Sequence, residues 1–242
     1  MLLASSALAA FLAGAGAAWW LSPGEDLDAW RQGPPPQPWA ALQRQETLWR
    51  GEKLHRQVEN RYVPLSAISV DLQLALLVGE DINYFGHGAV DLDAVREAVE
   101  EGIRTGGRLR GASTVTQQLA KTLFLSGERS LWRKAREARL AWWMERRLGK
   151  RRILELYLNV VEFGPGLFGV EAGARHYYGV GAEMVGPDRA AGLAAAIPSP
   201  GRDNPATDTP RWRFRQATIL RRMAHALWLR HQLTALRARA GS

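Results

Sequence analysis

From residue 65 onward the apolar residues recur at helical spacing: Leu65, Ile68, Leu72 and Leu76, then Leu92, Val95, Val99 and Ile103, then Leu140, Met144 and Leu148. Intervals of three and four put each set on one side of a 3.6-residue helix. Such a chain builds a mainly α domain, and 242 residues with 46% hydrophobic content provide for one full-sized core. Gly164, Gly166 and Gly169 match G-x-G-x-x-G. A dinucleotide fold is nevertheless not expected, because Pro165 stiffens that turn and no βαβ alternation supplies a parallel sheet.

The balance of 32 Lys+Arg against 24 Asp+Glu gives a net charge of +8, which suits a polyanion, an anionic membrane face or a phosphorylated substrate. With no cysteine, disulfides and thiolate metal sites are excluded. Residues 1–21 carry no charged side chain and end on Trp19 and Trp20. That length spans a bilayer core, so a transmembrane anchor is expected, with a cleaved signal peptide as the rival. Glu25, Asp26 and Asp28 precede the first basic residue, Arg31, which favours a domain outside the cytoplasm. Gly33, Pro34, Pro35, Pro36 and Pro38 favour an extended spacer. The expected organisation is an anchor over 1–21, a proline-rich linker over 22–50, a folded domain over 51–229 and a tail over 230–242.

Three clusters carry chemistry. Glu80 and Asp81 end a helix that begins near Ser66, with His87 following and Asp91 opening the next helix. Two acids at a helix C-terminus oppose the macrodipole, so something besides helix stability is expected to hold them. The second cluster runs from Gly111 to Lys121. On a helix, Thr114, Gln117, Gln118 and Lys121 share one arc, beside a stripe of Val115, Leu119 and Leu123. A capping box accounts for Thr114 and Gln117 but not for Gln118 and Lys121. Between these clusters, Gly102, Gly106, Gly107 and Gly111 with Arg104, Arg108 and Arg110 read as a mobile basic loop.

The third cluster, Arg129, Ser130, Arg133, Lys134 and Glu137, opens a helix that runs to about Leu148. Arg133 and Glu137 share a face with Leu140, Met144 and Leu148, at the edge of the core. Cations at a helix N-terminus oppose the dipole, and a bound anion reverses that penalty. This start reads as a pyrophosphate site.

The ordered stretches Glu80-Asp81 through His87 and Asp91, GASTVTQQLAK (111–121), RSLWRKAREA (129–138), ILELYLNVVEFGPGLFGVEAGARHYYG (153–179) and AAGLAAAIPSP (190–200) resemble the monofunctional biosynthetic peptidoglycan transglycosylases, the glycosyltransferase domain that penicillin-binding proteins also carry. The resemblance implies a lysozyme-like glycosyltransferase domain with a smaller membrane-facing lobe. It implies polymerisation of lipid II onto a growing glycan strand at the outer face of the cytoplasmic membrane, with other cell-wall synthesis proteins as candidate partners. Glu80 would be the general base and Glu137 the second essential carboxylate. Asp81, His87, Ser113, Thr114, Gln117, Gln118, Lys121, Arg129, Arg133 and Lys134 would line the substrate cleft. A divalent cation, Mg²⁺ or Mn²⁺, is expected with the substrate pyrophosphate, and its ligands are not assigned. Four positions depart from the pattern: Tyr84 stands for Phe, Ala89 for Gly, Thr122 for Asn and Gly149 for Ser.

Two other readings stay open. A glycan-cleaving lysozyme-like enzyme works with one acidic Glu and needs no cationic pocket, so the third cluster argues against it. A non-catalytic membrane or nucleic-acid binder would use Arg211, Arg213, Arg215, Arg221 and Arg222. Those arginines read more simply as a solvated helix face, and no nucleic-acid partner is expected.

Overall fold

The computed structural model describes residues 19–20, 24–45, 58–106, 113–125, 127 and 130–238. Their helices are α1 (Val70–Glu80), α2 (Leu92–Thr105), α3 (Val115–Phe124), α4 (Leu131–Val160), α5 (Val170–Tyr178), α6 (Pro187–Ala196), α7 (Pro210–His225) and α8 (Leu227–Ala238). The strands are short: β1 (Glu59–Asn60), β2 (Glu162–Gly164) and β3 (Leu167–Phe168). β3 lies between a parallel β1 and an antiparallel β2. The mainly α expectation holds.

α1 is the centre of the molecule. Its residues Leu72, Leu74, Ala75, Leu76 and Leu77 are all fully buried, and a helix apolar on every face must be enclosed on every face. α6, α7 and α8 enclose it. The helix starts later than its apolar spacing suggests. A 3₁₀ turn covers Leu65–Ala67, and Ser69 then caps α1 by accepting from the Leu72 amide at 3.1 Å.

α4 is interrupted at Gly149, whose φ of 73° and ψ of 160° are non-helical. Such a backbone is open to glycine and strained for other residues. The first half thus ends at Leu148 as expected, and the second half carries Ile153, Leu154, Leu156 and Leu158 into the core. Tyr84, fully buried, donates its hydroxyl to the Lys150 carbonyl at 2.7 Å, one residue past the break. Two departures from the family pattern therefore meet at one place.

The three glycines of the G-x-G-x-x-G match serve the hairpin. Gly166 turns it with a φ of 74°. At Gly169, with a φ of 85°, a Cβ would fall 2.6 Å from the Asn159 carbonyl oxygen.

Four expectations need correction. The proline segment is not a free spacer, because its apolar side chains find core partners: Leu27, Trp30, Trp39 and Leu42 are buried. Arg152 ties it down by donating to the Trp30 carbonyl at 2.7 Å and the Gly33 carbonyl at 2.6 Å. The stripe Leu92, Val95, Val99 and Ile103 does not join the core. No residue of α2 is buried, and Leu92 and Ile103 are 74% and 80% exposed. The stretch read as a basic loop is helical through Thr105, and residues 107–112 lie outside the described residues.

The expected tail is also structural. Leu229 and Leu233 of α8 are fully buried, Arg230 pairs with Asp71 at 2.6 Å, and Arg237 donates to the Ser66 carbonyl at 2.9 Å. Leu233→Ala should therefore cost about 2–5 kcal/mol in urea unfolding, the range for emptying a buried leucine site. A tail residue would cost no more than about 0.5 kcal/mol.

Candidate active site

Glu80 occupies the last turn of α1, with its side chain 12% exposed. Gln118 of α3 donates to Oε2 at 3.0 Å, and Arg215 of α7 donates to Oε1 at 2.6 Å. Gln118 is itself oriented, because the buried Tyr157 hydroxyl donates to its Oε1 at 3.0 Å. Burial is the main influence on Glu80 and raises its pKa. The Gln118 hydrogen bond and the Arg215 charge pull it down, while Asp81 pushes it up, leaving it above the ordinary carboxylate value.

The second acid is held differently. Asp81 Oδ2 accepts from the Val115 amide at 2.9 Å, and Oδ1 meets His87 Nε2 at 2.7 Å. His87 Nδ1 lies 2.6 Å from the Gly88 carbonyl. Asp81 and His87 are thus mutual partners that fasten the start of α3 to the end of α1. Asp91 caps α2 by accepting from the Ala94 amide at 2.9 Å.

Thr114 and Gln117 form the capping box of α3, and the Thr114 hydroxyl also donates to the Ala89 carbonyl at 2.7 Å. Both are buried. The structure therefore separates the four polar residues of that arc: two are used in capping, while Gln118 and Lys121 reach the cleft. The Thr122 hydroxyl turns back to the Gln118 carbonyl at 3.0 Å, so this replacement is absorbed within the helix.

Glu137 is 3% exposed. Its carboxylate takes Arg133 Nη1 at 2.7 Å on one oxygen and Lys134 Nζ on the other. Lys134 also donates to Ser113 Oγ at 3.0 Å. Ser130 caps α4 by accepting from the Arg133 amide at 3.0 Å. Arg129 lies outside the described residues. Desolvation lowers the pKa of Lys121; neighbouring Arg133, Lys134 and Arg44 act the same way, and Glu137 opposes them.

Lys121, Arg133, Lys134 and Glu137 line a cavity of about 340 Å³ together with Glu80, Ser113 and Gln118. A second cavity of about 220 Å³ is lined by Glu80, Asp81, Ser113, Thr114 and Arg222 among others. Glu80 borders both. A buried carboxylate between a cationic pocket and a second opening can accept a proton from a group in one while an anion is held in the other.

The transglycosylase family model matches residues 47–224. The chain belongs to the transglycosylase family. It is 43% identical over 183 residues to the biosynthetic peptidoglycan transglycosylase of Nitrosospira multiformis, covering 76% of this chain and 79% of that protein. It is 44% identical over 189 residues to the protein of the same name from Bordetella pertussis, covering 76% and 78%. The Janthinobacterium relative, also so named, is 45% identical over 170 residues, covering 70% and 74%.

For a transglycosylase, two residues of this site escape the sequence reading. Arg215 reads as one arginine on a solvated helix face, yet its contact with Glu80 joins positions 135 residues apart. Tyr157 lies within the 153–179 stretch without a role of its own in the sequence reading, and nothing local marks its hydroxyl as Gln118's partner. The Asp81 clasp gives a direct check. Asp81→Ala removes the acceptor for Val115 and the partner of His87, and should lower stability by about 1–3 kcal/mol in urea unfolding.

Proposed function

We propose that this transglycosylase is a peptidoglycan glycosyltransferase that extends glycan strands from lipid II, with Glu80 as general base. The position of Glu80, buried and bordering both the cationic cavity and its neighbour, carries the reading. The acceptor hydroxyl gives its proton to the Glu80 carboxylate as its oxygen attacks the donor's anomeric carbon. The bond from that carbon to the diphosphate breaks, and the diphosphate leaves with the electron pair, inverting the centre into a β linkage. No acid is needed at a leaving group that is already anionic. What it needs is positive charge, which Lys121, Arg133 and Lys134 offer from a partly enclosed site. Glu137 has both oxygens committed to Arg133 and Lys134 and acts by fixing those cations.

A divalent ion would enter on the diphosphate. The residues present do not fit a protein-held ion: the Glu137 oxygens face cations, and no group of three or more metal-ligating side chains occurs among the described residues. A glycan-cleaving activity is disfavoured because the cationic pocket would have no leaving group to serve.

Membrane attachment belongs to the same proposal. Among the described residues no helix is long and apolar enough to cross a membrane, and residues 1–18, where the anchor is expected, lie outside them. Support comes from exposed apolar residues. Trp19 stacks on Trp132 at 5.0 Å, Leu131 and Trp132 are 91% and 61% exposed, and α2 presents Leu92 and Ile103. Tryptophans of this kind suit a membrane interface. Protein lacking residues 1–21 should fold, polymerise weakly and still partition into detergent. A mature protein beginning after Trp20 would instead favour the signal peptide.

Glu80→Gln keeps the shape and removes the base, so polymerisation of lipid II should fall on the order of 10² to 10⁴-fold with substrate binding nearly unchanged. Because burial raises the Glu80 pKa, the wild-type rate should fall with acidification from above the ordinary carboxylate range. A general acid would lose activity in the opposite direction. Lys134→Ala should raise KM far more than it disturbs folding. Unchanged affinity in that variant would remove the diphosphate assignment.

A further inference from the structure

α1 ends in a way that helix stability alone does not favour. Its C-terminal carbonyls form the negative end of the dipole, and Glu80 and Asp81 add two carboxylates there. Asp81 is met locally by the Val115 amide and His87. Glu80 has no cation within its own helix or on α3 in contact with it. The cation comes from α7: Arg215 Nη2 donates to the Gly79 carbonyl at 3.1 Å and to Glu80 Oε1 at 2.6 Å.

We propose that Arg215 is a positioning residue for the transfer step, fixing the Glu80 carboxylate against Gln118 so that its remaining lone pairs face the incoming hydroxyl. The proposal rests on the reading of Glu80 as base.

Geometry supports it in two ways. The same guanidinium nitrogen bridges the helix end and the carboxylate, so the side chain cannot shift on one without loosening the other. Gln118 fixes the second oxygen, and Tyr157 fixes Gln118, so the carboxylate is held from two sides by residues on two helices. Arg215 also lines a cavity of about 270 Å³ with Asp203, Arg211 and Phe214, so it stands in the wall between that opening and Glu80.

The charges facing Glu80 set the direction of the effect. From its own helix comes Asp81, which raises its pKa; from α7 comes Arg215, which lowers it. Arg222 of α7 and Asp91 share the second cavity. Lys121 of α3, with Arg133, Lys134 and Glu137 of α4, shares the first. Tyr157 stays neutral, its pKa pushed well up by burial. Loss of the Arg215 charge leaves burial and Asp81 less opposed, so the Glu80 pKa rises and less of the base is ionised at neutral pH.

The test compares the full-length wild type with R215K and R215Q in lipid II polymerisation across pH. R215Q keeps a donor for the Gly79 carbonyl and removes the charge. Its acid limb should move to higher pH by about one unit, with a rate loss that approaches about tenfold below the limb and shrinks as pH rises, while KM for lipid II changes little. R215K should keep the limb near the wild-type position and lose less. An R215Q limb at the wild-type position, with loss uniform across pH or no loss, overturns the proposal. If R215Q does not fold, R215K decides: its limb is expected near the wild-type position with kcat reduced and KM little changed, and a pure KM effect or an unchanged kcat overturns the proposal. Glu80→Gln run in parallel separates the two ideas. Retained polymerisation in that variant removes the base itself, whereas an inactive Glu80→Gln beside an unmoved R215Q limb removes only the role of Arg215.

Discussion

The end of α1 places two carboxylates at the negative pole of a helix that has no exposed face. Unpaired, either charge would be costly at that depth. Each of the surrounding elements meets part of the demand. α3 contributes the Val115 amide to Asp81 and the Gln118 amide to Glu80; the loop after α1 contributes His87; α7 contributes Arg215. The packing of α6, α7 and α8 around α1 is what brings the last of these within reach. The chemistry of the site and the burial of the core are therefore one problem.

The two acids differ because their partners differ. Asp81 meets groups that are satisfied by it and lie behind the cleft, so it fastens the start of α3 in place. Glu80 meets a cation and a relayed amide while bordering two openings. Adjacent residues of similar chemistry are thus divided, by which helix reaches each one, into a fastening group and one that opens onto both cavities.

What the sequence reveals here follows from the range of the interaction. The mainly α fold, the break after Leu148, the capping box at Thr114 and Gln117, and the Arg133–Glu137 face all depend on residues a few positions apart, and all were legible as spacing. The unfavourable acids at the end of α1 were legible as a puzzle, since the dipole argument is local. Its answer was not, because Arg215 lies 135 positions away on a helix whose other arginines are largely solvated. The proline segment was misread for a related reason: prolines describe the backbone, whereas Trp30 and Trp39 are held by Phe124 and Phe168, partners far along the chain. The stripe on α2 shows the converse error, in which helical periodicity marks an apolar face without saying what covers it.

The cationic pocket carries the electrostatic argument one step further. Lys121, Arg133 and Lys134 share that cavity with Glu137, which both Arg133 and Lys134 contact. Lys121 is destabilised as a cation by desolvation and by its like-charged neighbours. In the resting enzyme this is a site with more positive charge than its own carboxylate neutralises, and mutual repulsion is held in place by the packing of α3 against α4. Under the proposed function, an arriving diphosphate would relieve that repulsion, and the relief would increase as the glycosidic bond breaks and charge gathers on the departing oxygen. A pocket already arranged for more negative charge than the ground state brings favours the transition state over the bound substrate, without reorganising at the moment of reaction. Glu137 sets the limit on this device: fixing Arg133 and Lys134 costs part of their field, and in return the remainder is aimed at one place.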